Sequence, residues 1–245
     1  NLKYNPMIDN YKNEDILFLD IETVPQFENY NQLPDAFKQL WDKKAKKIST
    51  NDEIPEETYQ RAGIYAEFGK IICISVGLIV NKDDKKFFRV KSFAGLDEAE
   101  LLIGFADMLN KFSAKPKATL CAHNGKEFDF PYIARRCLIN GIKLPKILNI
   151  AGKKPWEVMF LDTMELWKFG DYKHYTSLNL LTHIFNIPTP KDDIDGSQVA
   201  EVFYKEKDLE RIVRYCEKDV LAVAQLLLRY KNEPTIDPNN IEVAH

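Results

Sequence analysis

The sequence predicts a mixed α/β fold, with one sheet flanked by helices, and three observations lead to that prediction. Short apolar runs rich in β-branched residues lie in the first two thirds of the chain. Two of them adjoin across a tight polar turn, which is typical of an antiparallel hairpin. The last third has apolar residues at helical spacing. Strands that alternate with helices around one antiparallel pair indicate a mixed sheet rather than a uniformly parallel one.

Five segments are predicted as strands. Residues 15–23 form a buried strand with two acids at its end, and residues 71–80 form a continuous apolar run that suits a strand covered on both faces. Residues 86–92 alternate between polar and apolar side chains and follow the turn at 81–85, so they complete the hairpin. The remaining two strands are shorter and are predicted at residues 118–123 and 157–161.

Helices are predicted between and after these strands. The long segment 26–68 is a helical insertion after the first strand, since it contains apolar residues at helical spacing over 35–48 and again near 56–65. The other predicted helices lie at 97–112, 130–139, 177–185, 198–204 and 209–230. No repeat, low-complexity tract or Gly/Ser-rich linker divides the chain. We therefore expect one domain over residues 1–245, with a core at about 15–230.

The composition of the chain excludes some classes of function before any motif is considered. The chain has 245 residues, 34 Lys and Arg, 37 Asp and Glu, and a net charge of −3. This balance excludes a protein that holds long duplex DNA chiefly by neutralising phosphates, but it allows one that holds the last nucleotides of a strand. The longest apolar run is too short to cross a bilayer, so no membrane association is expected. Four scattered cysteines without metal or redox spacing indicate reduced core residues and a cytoplasmic protein.

Asp20 and Glu22 are the first candidate functional residues. They are two positions apart on a predicted strand, so both side chains project from one face. Paired carboxylates are costly to bury without a compensating cation, and they are natural oxygen ligands of Mg²⁺ or Mn²⁺. A solvated strand end accounts for the pair equally well.

Two further acidic positions have plain structural explanations when taken separately. Asp129 opens a predicted helix, where the helix dipole favours an acid. Tyr215 and Asp219 are four residues apart on the last helix, so they share one side at the rim of its apolar stripe. Taken together, the three elements would bring four acids and a tyrosine to one end of one sheet. Such a cluster would be repulsive unless divalent cations were bound.

At these residues the sequence resembles the DEDD superfamily of 3′–5′ exonucleases, which have an RNase H-like fold. The first motif matches as Asp20-Ile-Glu22-Thr23, and the second as Asn124, three residues, and then Phe128-Asp129. The third matches as Tyr215, three residues, and Asp219, the tyrosine form (DEDDy) of the superfamily. Further segments (FLDIETVP, GKIICISVG and YCEKDV) resemble the exonuclease domain of family-B DNA polymerases and its stand-alone bacterial relatives. The resemblance implies an RNase H-like mixed five-stranded sheet flanked by helices.

The resemblance also implies a chemistry. Asp20, Glu22 and Asp219 would hold one divalent ion, Mg²⁺ or Mn²⁺, and Asp129 would help to position a second. Tyr215 would orient the attacking water, and the products would be 5′-mononucleotides. The resemblance assigns Thr23, Asn124 and Phe128 to binding of the terminal nucleotide.

The expected substrates are 3′ ends of single-stranded DNA or RNA. A DNA exonuclease is the leading interpretation, an RNA-trimming exoribonuclease is the second, and a catalytically silent nucleic-acid-binding module is the third. Proofreading would need a polymerase or repair partner in trans. Tyr172 and Tyr175, like Phe128, are candidates for stacking on unpaired bases.

Several other residues have structural interpretations. Asp162 is expected to cap the following helix, with a supporting role at the site as the alternative. His123 is expected to pack or orient rather than catalyse. The lysines at positions 43, 44, 46 and 47, and the pair Lys153 and Lys154 beside Trp156, are interpreted as solvated faces unless they contact substrate.

Overall fold

The computed structural model describes residues 7–50, 53–83, 85–171, 175–188 and 194–244. Its strands are β1 Ile16–Pro25, β2 Gly69–Lys82, β3 Lys85–Ala94, β4 Thr119–Ala122, β5 Leu161–Asp162 and β6 Ile241–Val243. They form one sheet in the order β5-β4-β1-β2-β3-β6. β1 pairs antiparallel with β2 and parallel with β4, so the predicted mixed sheet is confirmed, and with it the RNase H-like class.

The α-helices cover both faces of this sheet. They are α1 Asp35–Ile48, α2 Pro55–Thr58, α3 Glu98–Phe112, α4 Asp129–Ile139, α5 Thr163–Lys168, α6 Leu178–Ile184, α7 Val199–Glu201 and α8 Leu209–Tyr230. The bounds of α1 and α8 are those that the apolar spacing predicts. Among the described residues, no helix is long and apolar enough to cross a membrane.

The alternation of side chains along β1 divides the core into two layers. Leu17, Leu19 and Ile21 pack in one cluster with residues of α3 and α4, whereas Ile16 and Phe18 pack in another cluster with residues of α8. All five side chains are at most 5% exposed. β1 is therefore buried from both sides, and any polar side chain on its second half must find partners within the protein.

The sheet has six strands in the structure rather than five. The additional strand, β6, pairs parallel with β3, from Phe88 with Ile241 to Val90 with Val243. An ion pair of 2.6 Å between Arg89 and Glu242 accompanies this pairing. A strand of three residues has too few positions to show a periodicity, so the sequence places this segment outside the core.

Three other predicted elements differ in form. Of residues 157–161 only Leu161 belongs to a strand, the two-residue β5, because the pairing with β4 begins at Leu161 and ends at Asp162. The helix expected near 56–65 is α2 followed by a 3₁₀ helix, Tyr59–Ile64. The helix expected at 198–204 is α7 followed by a π-helix, Val202–Glu206, which ends at Lys207 with a φ of 57°.

The predicted helical insertion, residues 26–68, has a small aromatic core of its own. Trp41 and Tyr59 are at its centre, with ring centroids 5.3 Å apart, and both are nearly fully buried. The insertion meets the sheet at Gly63, where an added Cβ would lie 3.0 Å from the backbone of Val24. The hydroxyl of Tyr132 on α4 donates a hydrogen bond of 2.7 Å to the Gly63 carbonyl. These contacts place the insertion against the end of β1 that follows the two acids.

Candidate active site

Acidic side chains gather where β1 continues past the end of β4. The parallel pairing of these strands runs from Ile16 to Phe18, so Asp20 and Glu22 lie beyond it. The first residue of α4, Asp129, lies against this part of β1, where its Oδ1 accepts a hydrogen bond of 3.2 Å from the backbone amide of Ile21. Glu22 and Asp129 are buried, and Asp20 is partly buried.

Cys216 of α8 lies next to two of these acids. One carboxylate oxygen each of Asp20 and Glu22 and the sulfur of Cys216 all lie within 4.8 Å of one another. The Cys216 thiol donates towards the backbone carbonyl and the Oδ2 of Asp20, at 3.4 and 3.5 Å. A thiol is a weak donor, but here it contacts the carboxylate that the sequence places at the centre of the site.

The carboxyl groups of the cluster have raised pKa values, because they are buried and lie close to one another. Burial raises the pKa of Asp20 well above its usual value, and repulsion from Asp129, Glu22 and Asp219 raises it further. Burial, followed by repulsion from Asp219, likewise raises the pKa of Glu22. Without a cation, therefore, the cluster retains protons that isolated carboxylates would lose.

Asp129 shows the same effect in moderate form. Burial raises the pKa of Asp129 to about 7, and the charges of Asp162 and Asp219 add to the shift, whereas the amide of Ile21 opposes it. This carboxyl group therefore changes charge near neutral pH. A divalent cation among these oxygens would favour the ionised forms and would remove the repulsion.

Tyr215 faces the acids from α8. Burial raises the pKa of the Tyr215 hydroxyl, the charges of Asp219, Glu22 and Asp20 raise it further, and a hydrogen bond with the side chain of Asp219 adds to the effect. The hydroxyl therefore stays protonated and can donate a hydrogen bond. The spacing of four residues has brought Tyr215 and Asp219 to one side of the helix, as the sequence predicts.

Of the three residues assigned to the terminal nucleotide, Thr23 and Phe128 are sequence neighbours of the acids, and Asn124 lies in the loop between β4 and α4. Asn124 has a left-handed backbone with φ of 63°, and its side-chain oxygen is buried without a hydrogen-bond partner in the described part of the chain. Phe128 precedes Asp129, and its ring lies 5.3 Å from that of Tyr132. Thr23 follows Glu22 at an irregularity in the β1–β2 register.

Asp162 has a larger role than the helix cap that the sequence predicts. Its Oδ1 accepts hydrogen bonds from the amides of Met164 and Glu165, so the predicted cap of α5 is confirmed. The same carboxylate also accepts from the amide of Asn124 at 2.9 Å and from that of Lys126 at 3.1 Å. One side chain therefore fixes both the start of α5 and the loop that carries Asn124. An acid after a strand was the only signal in the sequence.

His123 supports the same loop without joining the acids. Its Nε2 donates to the Thr176 carbonyl at 2.9 Å, and its Nδ1 lies 2.9 Å from the Thr163 hydroxyl. Burial lowers the pKa of His123, so the ring stays neutral and Nδ1 accepts from Thr163. These contacts agree with the orienting role expected from the sequence. Cys216, by contrast, was interpreted as a core residue alone, and no local pattern marks its contact with Asp20.

Comparison with known proteins identifies the family. A family model described as a predicted 3′–5′ exonuclease related to the exonuclease domain of PolB matches residues 64–240. The chain belongs to this family. The match includes Asn124, Asp129, Tyr215 and Asp219, whereas Asp20 and Glu22 precede it. The resemblance to the exonuclease domain of family-B polymerases is thereby confirmed.

The individual relatives of this chain are distant. A DNA polymerase of Pyrococcus glycovorans is 22% identical over 213 residues, which are 79% of this chain and 27% of that protein. DNA polymerase 1 of Pyrococcus abyssi is 26% identical over 218 residues, again 79% of this chain and 27% of that protein. A family B DNA polymerase structure from Pyrobaculum calidifontis aligns over 88% of this chain and 24% of that chain, with 17% identity and a TM-score of 0.48. The chain thus spans about a quarter of the length of these polymerases.

Proposed function

We propose that this chain is a metal-dependent 3′–5′ exonuclease that hydrolyses the terminal phosphodiester of single-stranded DNA ends and releases 5′-mononucleotides. The observation that carries the proposal is the cluster of partly buried Asp20 with buried Glu22 and Asp129, beside the protonated hydroxyl of Tyr215. Membership in a PolB-related exonuclease family supports the reaction class.

The donor set fits two divalent cations. Asp20, Glu22, Asp129 and Asp219 offer carboxylate oxygens, which Mg²⁺ and Mn²⁺ prefer. Burial and mutual repulsion raise the pKa values of the first three, which supports the binding of cations as the source of compensating charge. When bound, the ions would supply a lowered pKa for a water molecule and charge neutralisation at the phosphodiester.

Other side chains would orient the reactants. The Tyr215 hydroxyl, held by Asp219, would position the attacking water in line with the scissile bond. The unpartnered oxygen of Asn124 would accept a hydrogen bond from the terminal nucleotide, and Phe128 and Thr23 would contact the same nucleotide. Tyr175 is 70% exposed and precedes Thr176, which His123 anchors, so its ring is available to stack on an unpaired base. Tyr172 lies outside the described residues.

The proposal also includes the partners of the protein, its cellular location and the extent of its domain. A polymerase or repair partner acting in trans would connect this hydrolysis to DNA synthesis. All four cysteines are buried and free, which fits a reducing, cytoplasmic setting. We assign residues 1–245 to one exonuclease domain, in which the helical insertion lies beside the active site.

The proposal is tested with an oligonucleotide labelled at its 5′ end, in matched DNA and RNA forms. With Mg²⁺ or Mn²⁺ we expect a ladder that shortens from the 3′ end of DNA, and no ladder with a chelator. Asp20→Ala should abolish it, whereas Glu100→Ala, an exposed acid on α3, should leave it unchanged. Tyr215→Phe should slow hydrolysis on the order of 10²-fold with little change in metal binding. A faster ladder on RNA would favour the exoribonuclease, and no ladder with either metal would refute the proposal.

A further inference from the structure

A group of lysines lines a trough at some distance from the acidic cluster. Three adjoining cavities, of about 380, 560 and 320 Å³, share Lys146 as a lining residue. We call this surface the basic trough, and its cationic lining residues are Lys115, Lys117, Lys143, Lys146 and Lys153. Each of these five side chains is exposed, and none forms an ion pair with another described residue.

The charge of the trough is opposite to that of the whole chain. Its acidic lining residues are Asp107 and Glu157, so five positive charges face two negative ones in a protein of net charge −3. One Glu157 oxygen already accepts a hydrogen bond of 2.8 Å from the backbone amide of Lys154. Lys115 donates a hydrogen bond of 3.2 Å to the Glu14 carbonyl, but that contact leaves its positive charge uncompensated. Lysines without ion pairs on one surface of an acidic protein create a local potential that attracts anions.

The trough lies at the opposite end of the parallel strands from the acids. Thr119 at the start of β4 lines it, whereas Asn124 follows the end of the same strand. Met159 and Phe160 precede β5 and also line it, whereas Asp162 ends β5. Thr119 pairs with Ile16, four positions before Asp20 on β1, so about 13 Å of extended strand separates this edge of the trough from the acidic cluster.

The floor of the trough is apolar and fixed. Ile147, Ile150 and Met159 contribute to it, and the Met159 carbonyl accepts hydrogen bonds from the Thr119 hydroxyl at 3.0 Å and the Tyr11 hydroxyl at 3.2 Å. Trp156, in the 3₁₀ helix that borders the trough, is 72% exposed. The Lys154 ammonium lies 5.2 Å from the centre of its ring. An exposed indole in contact with one lysine, at the border of a lysine-lined trough, matches how proteins hold unpaired nucleotides, by stacking and charge.

We propose that the basic trough is an accessory site for the phosphate backbone of an unpaired nucleic-acid strand. The exposed ring of Trp156 favours this occupant over an acidic peptide, because a nucleic-acid strand offers bases that stack on an indole as well as phosphates that lysines attract. If the proposed function holds, the occupant is the part of the strand that lies upstream of the 3′ end at the acidic cluster. The site itself requires no catalysis.

Binding is therefore measured without turnover. Fluorescence anisotropy of a labelled 20-nucleotide single strand, in a chelator, compares the wild-type chain with the triple variant Lys117→Gln, Lys146→Gln and Lys153→Gln. We expect the Kd to rise at least tenfold. The slope of log Kd against log salt should fall by about 2, since about 0.7 counterions are released per single-strand phosphate contact. The matched control removes three exposed lysines of α1, by Lys43→Gln, Lys46→Gln and Lys47→Gln, and should keep the Kd within twofold.

A second readout separates this site from the active site. Release of a mononucleotide from a dinucleotide should be equal in the wild type and the trough variant, because a dinucleotide at the acidic cluster is too short to reach the trough. If the wild type does not cleave the dinucleotide, the proposed function is refuted, whereas the comparison of Kd values still tests the basic trough. Unchanged Kd in the trough variant, or equal loss in both triple variants, would overturn the proposal. Tighter binding of a poly-glutamate chain than of the oligonucleotide would also overturn it, in favour of an acidic protein partner.

Discussion

The backbone amide of Ile21 donates a hydrogen bond of 3.2 Å to Oδ1 of Asp129, across 108 positions of the sequence. Ile21 separates Asp20 from Glu22, so this bond holds the first carboxylate of α4 against the strand segment that carries the other two. It also lowers the pKa of Asp129, in opposition to the larger effect of burial.

Asp129→Asn separates the charge of this residue from its hydrogen bond. The amide oxygen of the variant can still accept from Ile21, but the negative charge is lost. We expect hydrolysis to fall on the order of 10²-fold, while the free energy of unfolding in a chelator at pH 8 stays constant or rises, because a buried charge has been removed. Urea denaturation and rates on the labelled oligonucleotide measure the two effects. Wild-type hydrolysis in Asp129→Asn would contradict the proposed role.

Cys216→Ala tests whether the thiol orients Asp20. Removal of this donor should raise the Mn²⁺ concentration that half-stabilises the protein against heat by several-fold, because Asp20 loses a contact that fixes its carboxylate. Cys137→Ala is the matched control, since Cys137 is also fully buried but belongs to the core cluster on the other face of the sheet. Equal metal responses in both variants would mean that Cys216 only fills space.

Asp162→Ala should destabilise the protein more than the loss of one helix cap. Asp97 caps α3 through two backbone amides, whereas Asp162 caps α5 and also binds the amides of Asn124 and Lys126. We expect about 1 kcal/mol for Asp97→Ala. For Asp162→Ala we expect about 3 kcal/mol, because two further amides lose a charged acceptor. Urea denaturation gives both values, and equal losses would show that the loop contacts add no stability.

The raised pKa values predict an unusual pH dependence of the metal-free protein. The folded pKa of Asp129, about 7, exceeds the usual value of 3.8, and those of Asp20 and Glu22 are raised as well. A raised folded pKa contributes stability that is complete below the unfolded pKa and is lost as pH rises through the folded value. With a chelator, the free energy of unfolding should therefore fall between about pH 4 and pH 7, by an amount on the order of a few kcal/mol. Saturating Mn²⁺ should flatten this profile, and a constant stability in the chelator would contradict the prediction.

Local patterns predicted much of the fold. The spacing of apolar residues gave the bounds of α1 and α8, because a helix that buries one face repeats its apolar positions every three to four residues. The polar turn between two strand-like runs predicted the hairpin of β2 and β3. The sequence predicts β5 too long and does not predict β6. Strands of two or three paired residues have no periodicity, and they form only because a neighbouring strand is there to pair with.

The residues of the candidate site likewise fall into those that the sequence predicts and those that only the structure reveals. The sequence by itself marked Asp20, Glu22, Asp129, Tyr215 and Asp219, because their spacing on a strand, a helix start and a helix side is a local property. Only the tertiary structure decided that Asp162 holds the Asn124 loop, that Cys216 reaches Asp20 across 196 positions, and that scattered lysines line one trough. The physical reason is that side-chain periodicity is set by neighbours along the chain. Hydrogen bonds and surface charge patterns, in contrast, are set by which distant segments the packed core brings together.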